Sequence, residues 1–163
     1  GEKALSSKLI ANPNCSTIQV VLVLYHLSKI AKIKRVIVST YQSASGAGEK
    51  GIYDLENKTT LKIPQILCDD LLPQIGNFLD NGYSEEEDKI MFETQKILGE
   101  NIKISATAVR VPIHFCHGAS VNVEFEENIN LKTICEKLEN SNGIVLLDNP
   151  FSNTYPLDRK SVV

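Results

Sequence analysis

The chain has 163 residues, 42% hydrophobic and 23% charged, with a net charge of −3; this suits one compact domain with its own core and gives no electrostatic ground for nucleic acid or an anionic membrane surface as partner. Cys15, Cys68, Cys116 and Cys135 are far apart and follow no signal peptide, so a reducing, cytoplasmic setting is expected in place of a disulfide framework. The longest apolar run, Ile18 to Leu27, is too short to span a bilayer.

Residues 1–8 read as a linker, and Leu9-Ile10-Ala11 as the end of a strand. Asn12-Pro13-Asn14-Cys15-Ser16-Thr17 then opens a helix expected from Ser16 to about Ile30, apolar almost all round and so buried on most sides. A cysteine at a helix start meets unpaired backbone N–H groups, which favour thiolate and lower the pKa from a free value of ~8.5. The competing reading of Cys15 is a small buried residue.

Lys29, Lys32, Lys34 and Arg35 read as a solvated helix end. Arg35 to Thr40 is β-branched and predicts a strand. Beyond it, Gly46, Gly48 and Gly51 satisfy G-x-G-x-x-G. Residues 41–45 separate them from the strand and no βαβ unit follows, so the dinucleotide reading is rejected. A flexible turn opening a short helix near Ile52 to Glu56 fits better, with Gln42 at its mouth.

Pro64 to Pro73 is irregular, with a short apolar element at Ile66-Leu67, and Asp69 and Asp70 read as surface or cap residues. Ser84 and Glu87 form a capping box that starts a helix to about Leu98. Lys89, Glu93 and Lys96 share one face of it, which by itself is an ion-paired solvated face. Strands are expected over 104–111 and 120–125. An uninterrupted strand would send Arg110 and His117 to opposite faces, so a shared site requires a bend, for which Pro112 and Gly118 provide breaks. The His114-x-Cys116-His117 cluster lacks zinc-ligand geometry; His117 becomes chemically interesting if Cys15 is its partner, as a nucleophile–base pair. A helix over 131–138 and a strand over 143–147 follow, then a polar tail over 150–163 in which Ser161-Val162-Val163 starts a strand.

Four blocks, Asn12 to Thr17, Val38 to Gly48, Glu93-Thr94-Gln95-Lys96-Ile97-Leu98, and Arg110-Val111-Pro112 with His117, stand in an order and spacing that resembles the aspartate-semialdehyde dehydrogenases from about Leu9 to Pro156. The resemblance implies an α+β fold for residues 1–163, a mixed β-sheet with helices packed largely on one face, as in the catalytic/dimerisation domain of the glyceraldehyde-3-phosphate dehydrogenase-like family. The open sheet face would serve a homodimer. It also implies NADPH-dependent reductive dephosphorylation of aspartyl phosphate to aspartate semialdehyde, a step toward lysine, threonine and methionine. Cys15 would carry a thioester, His117 act as general acid/base and Gln42 orient substrate. Arg110 would hold the α-carboxylate, Glu93 the ammonium group, and Lys96 with Asn14 the phosphate. Backbone N–H groups at the start of the Cys15 helix would stabilise the oxyanion. Ser45 and Gly46 would touch NADP, which the family binds mainly through a nucleotide domain not found in this sequence. The chain alone is therefore expected to lack dehydrogenase activity. A non-catalytic dimerisation module and a cysteine-dependent hydrolase are the other readings; no metal is expected.

Overall fold

The computed structural model describes residues 8–99 and 102–157. Helix α1 (Cys15–Leu27) starts where Asn14 Oδ1 accepts the N–H groups of Ser16 and Thr17, at 2.9 and 3.2 Å, which satisfies two of the donors a helix start leaves unpaired. It buries Val20, Leu24 and Leu27 but leaves Ile18, Leu22 and Tyr25 exposed. The near-uniform apolar sequence therefore overstated its burial: only one stripe faces the core.

Strand β1 (Ile33–Gln42) runs longer at both ends than the β-branched segment predicts. It leads through a 3₁₀ turn (Ala44–Ala47) into α2 (Glu49–Asn57). Gly51 lets these two pack, because a Cβ there would stand 2.5 Å from the Ala44 carbonyl oxygen. Helix α3 (Glu85–Leu98) carries the complete capping box of Ser84 and Glu87. Strands β2 (Lys103–Arg110) and β3 (Gly118–Phe125) and helix α4 (Leu131–Glu139) complete the main elements.

The sheet is mixed, in the order β2-β1-β3, with β1 parallel to β2 and antiparallel to β3. Alternation along β1 sends Val36, Val38, Thr40 and Gln42 inward, while Ile37 and Tyr41 are exposed. The inward face packs with Leu24 of α1, Ile90 of α3 and Ala106 and Ala108 of β2 in one core. Each large side chain fully buried there contributes about 1.5–3 kcal/mol. The start of α3 is tied to the sheet, since Glu87 Oε1 accepts the Ala108 N–H at 3.0 Å. Beside Lys32, Lys34 and Arg35 stand Glu126 and Glu124, in ion pairs at 2.8, 2.6 and 3.3 Å that remain largely solvated.

Two expected strands do not form. Leu9–Ala11 and 143–147 join no ladder among the described residues. The Ile66-Leu67 element is likewise irregular, although Leu67 is buried. The strand expected at 161–163 lies outside the described residues. No helix among the described residues is long and apolar enough to cross a membrane.

Candidate active site

The parallel pairing of β1 and β2 sets Gln42 beside Arg110 at the same end of the sheet. Arg110 is pinned from its other side by Leu72, whose N–H and C=O exchange hydrogen bonds with it at 3.0 and 2.8 Å. After Arg110 the chain bends: Ile113 N–H returns to the Val111 carbonyl, and Ala44 and Ser45 N–H groups donate to the carbonyls of Ile113 and His114. Cys116 takes the left-handed conformation, φ 69°, uncommon for a residue with a side chain and a local cost accepted at the turn. His117 is thereby delivered to the start of α1, where its Nε2 lies 3.4 Å from Cys15 Sγ.

Ser43 joins the parts. Its carbonyl accepts from Arg110 Nη1 at 2.7 Å, and its N–H donates to His117 Nδ1 at 3.1 Å. An amide N–H can only donate, so Nδ1 is the acceptor and the neutral ring carries its proton on Nε2, facing the sulfur. Burial pushes His117 below its ordinary 6.5; a backbone contact with Cys116 opposes this, the Arg110 charge adds to it, and Glu86 opposes it. Burial also lowers Arg110 from its ordinary value, countered by Glu86 and Cys15. The imidazole therefore enters neutral and proton-donating at neutral pH.

Glu86, in the first turn of α3, is the residue that the sequence did not single out. Both its oxygens lie 3.0 Å from Asn14 Nδ2, and Oε1 also accepts from Gln42 Nε2 at 2.9 Å. Gln42 is only 1% exposed and also donates to Thr40 Oγ1, so its amide group fixes Glu86 from beneath. Glu86, Lys89, Arg110, Gly46 and Lys62 line a cleft of about 470 Å³. Two carboxylates are thus placed differently: Glu93 Oε2 accepts the Asn14 backbone N–H at 2.7 Å and acts as a brace for the α1 start. Lys96 is exposed, 5.7 Å from the centre of the Phe92 ring, and is not among the residues lining the cleft.

The expected oxyanion donors also change. Asn14 Oδ1 occupies the N–H groups of Ser16 and Thr17, and Ile18 N–H reaches the Asn14 carbonyl. The Cys15 N–H alone in that first turn has no hydrogen-bond partner among the described residues. Ser45 and Gly46 stand against the site's own side chains. Ser45 Oγ bonds Ser43 Oγ at 2.9 Å, and a Cβ at Gly46 would stand 2.8 Å from Arg110 Nη1 and 3.2 Å from His117 Cε1. Gly46 is thus bare because the site's own side chains occupy that space. His114 takes another partner, Glu56, at 3.3 Å.

A family model described as semialdehyde dehydrogenase, dimerisation domain, matches residues 24–163. The chain belongs to this family. Cys15 lies ahead of the matched span. Aspartate-semialdehyde dehydrogenase of Aquifex aeolicus is 45% identical over 91% of this chain and 47% of its own length. That of Campylobacter jejuni is 42% identical over the same shares, 91% and 47%. The chain therefore spans about half the length of these semialdehyde dehydrogenases. Aspartate semialdehyde dehydrogenase II of Vibrio cholerae, solved in complex with ASA, superposes with a TM-score of 0.87 at 36% identity, over 93% of this chain and 48% of that one. The Candida albicans enzyme, solved with NADP, shares the fold at 22% identity, with a TM-score of 0.62 over 87% of this chain and 40% of that one.

Proposed function

We propose that this chain is the catalytic and dimerisation part of an aspartate-semialdehyde dehydrogenase, and that it performs the acyl-transfer half of the reaction on aspartyl phosphate. The observation that carries this is the 3.4 Å approach of Cys15 Sγ to His117 Nε2 beside the buried Arg110. Cys15, exposed to solvent, gives its proton to water and its sulfur attacks the acyl carbon. A C–S bond forms, the bond to the phosphoryl oxygen breaks, and phosphate leaves. The Nε2–H of His117 and the Cys15 N–H are the donors within reach of the developing oxyanion, and one such donor contributes about 3–4 kcal/mol.

Arg110 presents the rest of its guanidinium to the substrate α-carboxylate, a planar match. Glu86 takes the ammonium group and Lys89 the phosphoryl group, in place of Glu93 and Lys96. Asn14 and Gln42 orient Glu86. When NADPH is bound, it supplies the hydride that reduces the thioester. Exposed Ile37, Tyr41 and Val121 on the open sheet face are the surface on which a second copy packs, in a reducing, cytoplasmic setting.

The test is single turnover with aspartyl phosphate. One equivalent of phosphate released per chain, without steady NADPH oxidation by the chain alone, is expected. No release contradicts the proposal, and repeated turnover would make the chain a cysteine hydrolase.

A further inference from the structure

Asp54 is 0% exposed, near the end of α2, and the acyl-transfer chemistry does not use it. Its carboxylate accepts four hydrogen bonds from one short stretch: Thr59 Oγ1 at 2.6 Å and Leu61 N–H at 2.7 Å on Oδ1, and Lys62 N–H at 2.7 Å and Ile63 N–H at 2.9 Å on Oδ2. Burial opposes its ionisation, but these bonds from Thr59, Ile63, Leu61 and Lys62 overcome it and hold the carboxyl at about 2. The left-handed Lys58 ends α2 and turns the chain into the stretch so held. That stretch forms one wall of the cleft, with Lys62, Ile63 and Pro64 among the residues that line it together with Lys89, Glu86 and Arg110.

Charge matching gives the wall a purpose. Aspartyl phosphate carries one carboxylate, one ammonium group and a phosphoryl group of about −1.5 to −2. Arg110 and Glu86 answer the first two. Among the described residues, Lys89 and Lys62 are the cations of the lining that remain to face the phosphoryl group. Neither lysine forms an ion pair among the described residues, although Lys89 is close enough to help lower the Glu85 carboxyl. We infer that Lys62 is a second phosphoryl-binding cation of the cleft and that Asp54 is the positioning residue that holds it there. This rests on the acyl-phosphate reading above.

The experiment measures protection of Cys15 from iodoacetamide by inorganic phosphate at constant ionic strength, on the whole chain. Lys62→Met, an exposed change, raises the phosphate concentration for half-protection at least about twofold, the size expected of a partly solvated charge contact, and Lys62→Arg restores it. Asp54→Asn shifts half-protection in the same direction. The double variant shifts it no further than Lys62→Met, because Asp54 acts through Lys62. If Asp54→Asn does not fold, Thr59→Val, which removes one of the four bonds, gives a smaller shift that Lys62→Met likewise masks. A shift of less than about twofold in Lys62→Met overturns the assignment of Lys62. Additive shifts overturn the positioning role of Asp54. Lack of protection in the unaltered chain removes the phosphate site altogether and with it the acyl-phosphate reading, whereas protection that the variants leave intact removes only this inference.

Discussion

The first and third turns of α3 carry the same pattern. Glu86 and Lys89 stand three residues apart, and Glu93 and Lys96 repeat that spacing seven residues later. Seven residues bring a helix back to nearly the same face, about 10 Å further along its axis. Side-chain spacing therefore cannot separate the two pairs, but the fold does. The first turn is held against the sheet by the Glu87 bond to Ala108 and opens on Arg110, whereas further along Glu93 meets the Asn14 backbone and Lys96 stands in solvent. Which end of an amphipathic helix serves a site is decided by what its start is anchored to.

Substitution separates the two turns most sharply. Glu86→Gln lowers the single-turnover rate of phosphate release by about 30-fold or more, as expected for truncating one partner of a desolvated charge contact. Glu93→Gln keeps an acceptor for the Asn14 N–H, and its effect stays within about threefold. Equal losses would merge the two turns into one functional face. Lys89→Met costs about tenfold in the same assay and Lys96→Met less than about twofold; the reverse order would return the phosphate to the third turn.

Gly46→Ala probes the other wall. Its Cβ would meet Arg110 Nη1, which cannot swing aside without losing the Ser43 carbonyl. A loss of several-fold in phosphate release, about threefold to tenfold, is expected from the displaced guanidinium. Melting temperatures accompany each assay to separate unfolding from repositioning.

The smallest effect is on stability. His117 has a folded pKa below its ordinary 6.5, so between that value and the folded one the unfolded chain binds a proton that the native site refuses. Stability therefore falls as pH drops through this window and levels off below it. Denaturant titrations at about pH 7.5 and about 5.5, on either side of the ordinary histidine range, should show this fall in the chain and a flatter response in His117→Asn. Asp54 acts lower: its contribution is complete above the ordinary carboxyl value of 3.8 and is lost as pH falls through about 2.

Local chemistry was legible in the sequence. The Ser84/Glu87 box and the helix after Asn14 depend on residues near in the chain, and the bend between Arg110 and His117 was marked by Pro112 and Gly118, although Ala44 and Ser45 brace it from afar; the structure contains all three. What was not legible depends on distant neighbours. Residues 143–147 have strand composition but no ladder among the described residues. Ser43 reaches Arg110 through its carbonyl and His117 through its N–H as well as its hydroxyl, and the backbone contacts leave no mark in side-chain chemistry. Glu86 was hidden by its heptad copy Glu93, and a signal for it did exist, since the capping box fixes residues 85–87 at the anchored end of the helix.

The most direct test of the acyl-transfer site is to trap the enzyme-bound acyl group. The chain is mixed with aspartyl phosphate, quenched in acid after phosphate release, and mapped by peptide mass spectrometry for a hydroxylamine-labile aspartyl adduct. The adduct is expected on Cys15 alone, and absent in Cys15→Ser. An adduct on Cys68, Cys116 or Cys135, or phosphate release with no adduct at all, would contradict the account.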